Sequence, residues 1–187
     1  MRRHMLHHGW KGVLGSVRWR FVAGIVCALA LAGVAAESLL PPSARADQPP
    51  FKNAPDFTTF DVDGNSRTLT GYLNAKPILL EFMSIDCPHC LDMAPILGRV
   101  HAVYGDKVQF LTVAFDKNVQ RVQRFAQVEK HGWPYLMGTQ HIIQSYKLEG
   151  VPAFCFVAPN GQVVRYVVGS MPEKVLRENI DALLKAK

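Results

Sequence analysis

Residues 77–83 (PILLEFM) form a near-continuous apolar run of strand length, and four residues later the chain reads Cys87-Pro88-His89-Cys90. A strand that is apolar on both faces has to be buried on both faces, as in the centre of a sheet covered by helices. After the cysteines, Leu91, Ala94, Leu97, Val100 and Val103 with Tyr104 recur at helical spacing across residues 90–104. Residues 108–115 (VQFLTVAF) then repeat the doubly apolar strand pattern. Strand, helix, strand is a right-handed crossover between parallel neighbours. The unit restricts the chain to an α/β fold and puts the cysteine pair where a strand hands over to a helix.

The flanking segments extend this unit. Residues 57–62 and 68–72 bracket the tight-turn pair Asp63-Gly64, so a β-hairpin opens the domain. A second helix is expected over residues 119–130, a short strand over 133–137 and a short helix over 140–147. Residues 153–158 and 162–168 read as two strands joined by the turn Pro159-Asn160-Gly161. Pro172 opens a terminal helix with apolar positions Val175, Leu176, Ile180, Leu183 and Leu184. The expected class is α/β, with a mixed central sheet flanked by helices. A length of 187 residues allows one such domain with an ordinary core.

The net charge of +6 suggests nucleic acid until it is divided along the chain. Residues 1–46 hold six basic residues against Glu37 alone, and the remainder holds 15 basic and 14 acidic residues. A nucleic-acid-binding domain needs its positive charge on the fold, so that class is excluded. The leader instead pairs a basic start with a 16-residue uncharged run at residues 21–36. As a helix this run spans roughly 24 Å, short of a hydrocarbon core of about 30 Å. Residues 1–46 therefore read as an export signal, with a small-x-small pattern at Ala44-Arg45-Ala46, or as an uncleaved membrane anchor. Cys27 in the run is poorly placed for lipidation. Residues 47–55 read as a proline-rich linker and residues 56–187 as the folded domain. Either reading of the leader puts that domain outside the cytoplasm, in a bacterial periplasm, where disulfides persist.

The cysteine pair carries the chemistry. Unpaired N–H groups and the positive helix end favour an anion at Cys87, so its thiolate should form more readily than that of a free cysteine. Cys90, about one turn in, is placed to attack a mixed disulfide formed on Cys87. Half of a zinc site is the alternative, but no second Cys-x-x-Cys or His-x-His supplies the other ligands, so no metal is expected. Glu81 interrupts the apolar strand six residues before Cys87, where an ionised carboxylate is costly to bury. A buried carboxyl there has a raised pKa and relays the Cys90 proton; the bland alternative is a partly solvated glutamate.

With these residues in view, the chain resembles the thioredoxin superfamily, and within it the exported TlpA/ResA-type branch of thiol–disulfide proteins. The likeness covers about residues 54–185. It is carried by Ala54-Pro55-Asp56-Phe57, by ILLEFMSIDCPHC at residues 78–90, by Gly150-Val151-Pro152 and by PNGQVVRYVVG at residues 159–169. The resemblance implies a thioredoxin-like fold, with residues 118–146 forming a helix-strand-helix insertion before a cis-proline. It implies a redox-active Cys87–Cys90 disulfide, Glu81 at the buried acidic position, and Val151-Pro152 facing the disulfide. There a substrate chain can pair with the Val151 backbone as an extra strand. No cofactor is implied. The implied partners are exported cysteine-containing proteins and a membrane redox partner.

The sequence also departs from that branch. Its members usually carry proline directly before the second cysteine, whereas Cys-Pro-His-Cys resembles the exported oxidase DsbA. His89 near the helix start would stabilise a Cys87 thiolate and make the disulfide a stronger oxidant. Asp86 pulls the other way. Reductant or isomerase-like exchange is the expectation from the branch, and disulfide donation is the alternative. A peroxidase reading lacks the threonine-rich loop and isolated cysteine it requires, and a metal-delivery module lacks its cysteine spacing and histidine. Cys155, between Phe154 and Phe156, reads as a small buried hydrophobe, with a third redox role as the minority reading. His101, His131 and His141 share no spacing and read as surface or satisfied polar groups, and Trp133 as packing for the insertion.

Overall fold

The structure is a computed structural model, and it describes residues 49–186. The expected leader with its cleavage pattern, and Cys27, lie outside the described residues. A five-stranded sheet forms the centre. It contains β3 (Ile78–Met83), β4 (Gln109–Ala114), β5 (Tyr135–Met137), β6 (Ala153–Val157) and β7 (Val163–Val168), in the order β5-β4-β3-β6-β7. The strands β3, β4 and β5 run parallel, while β6 and β7 are antiparallel to their neighbours. The sheet is mixed, and all six residues of β3 are buried, as a central strand requires.

The helix α1 (Pro88–Tyr104) links β3 to β4. Pro88 opens it where a missing N–H costs nothing. The buried stripe of α1 is Cys90, Met93, Ala94, Leu97 and Val100, whereas the expected members Leu91 and Val103 are exposed. The helix turns Cys90 and Met93 toward the sheet, and this leaves Leu91 and Val103 off the buried face. The insertion is present as α2 (Val119–Val128), β5 and α3 (Gln140–Ser145). Asn118 and Thr139 cap the two helices through side-chain oxygens that accept from Arg121 N and Ile142 N. The last helix, α4 (Glu173–Lys185), buries Leu176, Asn179, Ile180 and Leu183, and leaves Val175 and Leu184 exposed.

The opening hairpin pairs β1 (Thr58–Phe60) with β2 (Ser66–Thr68). The expected second strand at residues 68–72 is not formed, because Leu69 turns fully into the core. The Asp56 carboxylate accepts from Thr70 N at 3.0 Å, and Thr70–Tyr72 becomes a 3-10 turn. The expected linker is also partly built into the fold. Ala54 N donates to Gly161 O at 2.9 Å and Val163 N to Lys52 O at 2.9 Å, while Phe51 packs edge-on against Tyr146 and Tyr166.

Two cores flank the sheet. One, under α1 and α4, holds Leu79, Met83, Cys90, Leu97, Phe110, Phe154 and Phe156. The other, under α3 and the hairpin, holds Leu80, Phe82, Leu111, Cys155 and Tyr146. Among the described residues no helix is long and apolar enough to cross a membrane.

Candidate active site

The end of β3 and the start of α1 position the dithiol. Cys87 holds the cap position with extended backbone (φ −98°, ψ 111°), and its carbonyl accepts from Cys90 N and Leu91 N at 3.0 and 3.2 Å. Its half-buried thiol donates to the Val151 carbonyl at 3.4 Å. The Val151–Pro152 bond is cis, and Gly169 N donates to Pro152 O at 2.7 Å, so the loop that faces the sulfur is tied to the end of β7. Cys90 is fully buried. Burial pushes its thiol well up, and its hydrogen bond with Cys87 adds to the shift, as does the nearby charge of Glu81. The two sulfurs differ in the way exchange needs: one meets solvent and the other does not.

Glu81 is 4% exposed and lies on the sheet face that α1 covers. Thr112, its register partner on β4, donates from Oγ1 to Glu81 Oε2 at 2.8 Å. Burial outweighs that bond and pushes the carboxyl up to about 7. The expected buried acid is there, and a partly solvated glutamate is not what the strand presents.

His89 points to solvent. Its ring is exposed, and Nδ1 lies 3.9 Å from the equally exposed Asp92 carboxylate. The residue that reaches the approach to Cys87 is Arg121 on α2. Its guanidinium holds Asp86 at 2.7 Å and lies 4.0 Å from Asp116, whose other oxygen accepts from Ile85 N. That hydrogen-bonded pairing holds the Asp86 carboxyl below its ordinary value and clamps the chain just ahead of Cys87 to the insertion. The same helix forms one wall of a groove of about 530 Å³, where Leu91 and Ile85 face Phe125 and Val128.

A polar network was hidden from the sequence. Trp133 Nε1 donates to Thr112 Oγ1 at 2.9 Å. His131 stacks on Trp133 with ring centres 4.0 Å apart, donates from Nε2 to Ala94 O at 3.1 Å on α1, and accepts the Tyr135 hydroxyl at Nδ1. Burial lowers His131 to about 4, so its ring is neutral at ordinary pH. Thr112 is a polar residue in an apolar run, and only the β3–β4 register reveals that it adjoins Glu81. Cys155 is buried on the opposite sheet face from Cys90, among Leu80 and Val157, which fits the small-hydrophobe reading. Among the described residues no cluster of three or more His, Cys, Asp or Glu could hold a metal ion.

Comparison with known proteins agrees with this geometry. The family model described as Redoxin matches residues 50–184. A thiol-disulfide oxidoreductase ResA of Geobacillus thermodenitrificans is 24% identical over 132 residues, which cover 70% of this chain and 75% of that protein. The chloroplastic thioredoxin-like protein HCF164 of Arabidopsis thaliana is 29% identical over 114 residues, 61% of this chain but only 36% of the relative. Among solved structures, MTB dsbF superposes with a TM-score of 0.62 at 29% identity, over 68% of this chain and 94% of that one. A putative thiol:disulfide interchange protein DsbE from Chlorobium tepidum gives 0.65 at 22% identity, over 71% and 96%, a likeness of fold. The chain belongs to the Redoxin family and is a thiol–disulfide oxidoreductase of the thioredoxin superfamily, of the ResA type.

Proposed function

We propose that the chain exchanges disulfides with exported cysteine-containing proteins, in the reductive or isomerase-like direction. The observation that carries this reading is the asymmetry of the dithiol, with Cys87 beside the Val151 carbonyl and Cys90 fully buried on the Glu81 face. The Cys87 thiolate attacks a client disulfide, that S–S bond breaks, and the released client sulfur takes a proton from water. The client chain pairs with the Val151 backbone ahead of Pro152 during this step. Cys90 then loses its proton to the Glu81 carboxylate and attacks Cys87 Sγ. The second client sulfur leaves as a thiolate, so the client gains two electrons and the protein keeps a Cys87–Cys90 disulfide. A membrane redox partner returns the electrons. Residues 1–46 act as export signal or anchor, which puts the domain in the periplasm.

A second reading, donation of disulfides, is favoured by one contact. Arg121 neutralises Asp86, the carboxylate that otherwise opposes an anionic Cys87, and an unopposed thiolate makes a disulfide more oxidising. The reduction potential decides. It is measured against glutathione buffers on the full chain, with Cys27→Ser and Cys155→Ser to leave the dithiol alone. A value near the thioredoxin end, about −270 mV, fits the reductant, and one near the DsbA end, about −120 mV, overturns it. Arg121→Ala is expected to make the potential more negative by on the order of 10 mV, as the Asp86 charge is unmasked.

A further inference from the structure

The buried network around Glu81 has a fixed donor direction. An indole N–H only donates, so Thr112 Oγ1 accepts from Trp133 and its own single proton is the one it gives away. That proton goes to Glu81 Oε2 at 2.8 Å, with the Tyr135 hydroxyl as the other oxygen beside Thr112. A neutral acid that carried its proton on Oε2 and pointed it at Thr112 would break the 2.8 Å bond that the threonine proton makes there. Oε1 receives no hydrogen bond from the described residues, and the carboxylate charge acts on the Cys90 thiol. Trp133 is itself held. His131 stacks on it and is fastened to the Ala94 carbonyl of α1, the helix that carries Cys90.

We propose that Thr112, fixed by Trp133, is a positioning residue that anchors Glu81 by Oε2 and leaves Oε1 as the oxygen that exchanges a proton with Cys90. This rests on the reading of Glu81 as the acceptor of the Cys90 proton. In the resolving step the Cys90 S–H bond breaks and an O–H bond forms at Oε1. The freed sulfur pair then attacks Cys87 Sγ and expels the client thiolate. When the disulfide is reduced again, the proton returns from Oε1 to Cys90. Thr112 and Trp133 keep their protons throughout.

The test is a stopped-flow reaction of the full chain, carrying Cys27→Ser and Cys155→Ser, with dithiobis(nitrobenzoate) across a pH series. The first thionitrobenzoate released reports attack by Cys87, and the second reports resolution by Cys90. In the parent the second rate should rise with pH through about 7. Thr112→Val removes the bond that favours the carboxylate, so that midpoint should move up by roughly half to one pH unit, and the second release at pH 7 should slow about two- to fivefold. The first release should not change. Thr112→Ser should restore the parent midpoint, and Trp133→Phe should shift it less and in the same direction as Thr112→Val. A folded Thr112→Val protein with the parent midpoint overturns the proposal, and so does a Thr112→Ser midpoint displaced as far as that of valine. If Glu81→Gln leaves the limb near pH 7 in place, the limb is not Glu81's and the underlying reading of the acid fails first.

Discussion

A carboxyl that is 4% exposed, with a hydroxyl as its partner, is more stable protonated than charged. Its ordinary value is 4.5 and in the fold it stands at about 7. Between those limits the folded chain holds a proton that the unfolded chain has released, so stability falls as pH rises across the window. In full the fall amounts to roughly 3 kcal/mol. His131 acts in the opposite sense. It is lowered by burial from 6.5 to about 4, so over that window the unfolded chain holds the extra proton and stability rises with pH. The two slopes oppose each other from about pH 4.5 to 6.5, and the parent should be nearly flat there. Glu81→Gln removes one of them. Its urea midpoint should climb from pH 4.5 to 6.5 and then level, ending above the parent at pH 8. An unchanged pH dependence in that variant would place the titration elsewhere.

Among the elements, those that build the site were readable because each imposes a pattern on contiguous residues. The doubly apolar β3 and β4 and the dithiol at the start of α1 stand where the spacing put them, and the Val151-Pro152 loop stands where the family resemblance put it. What was not readable depends on pairing between distant segments. Thr112 adjoins Glu81 only through parallel register, Arg121 meets Asp86 only once the insertion docks, and Trp133 becomes a donor to Thr112 only when β5 adds beside β4. The stripe of α1 was misread at Leu91 and Val103 because apolar spacing does not say which of two adjoining helical rows meets the sheet. The end of β5 offers a test at this scale. A Cβ on Gly138 would lie 2.2 Å from the Phe115 ring, which stacks on Phe82 in the core. Gly138→Ala should therefore destabilise by about 1–3 kcal/mol, read as a lower urea midpoint with an unchanged slope. A stability equal to the parent's would mean that the ring has room to yield.

At the scale of the whole molecule, the sheet separates two kinds of cysteine. Cys87 and Cys90 lie at the end of the face covered by α1, and Cys155 is sealed among apolar side chains on the other. On the proposed function this division assigns the chemistry, with Cys87 capturing a client and Cys90 releasing it. The most direct measurement is to trap the captured state. The full chain with Cys90→Ser, expressed in a bacterium, is acid-quenched, alkylated and resolved on non-reducing gels, with Cys87→Ser and Cys155→Ser run as companions. Mixed disulfides with exported proteins should accumulate in Cys90→Ser, vanish when Cys87→Ser is added, and persist when Cys155→Ser is added. Adducts that survive the loss of Cys87, or that require Cys155, would overturn this assignment of the two cysteines.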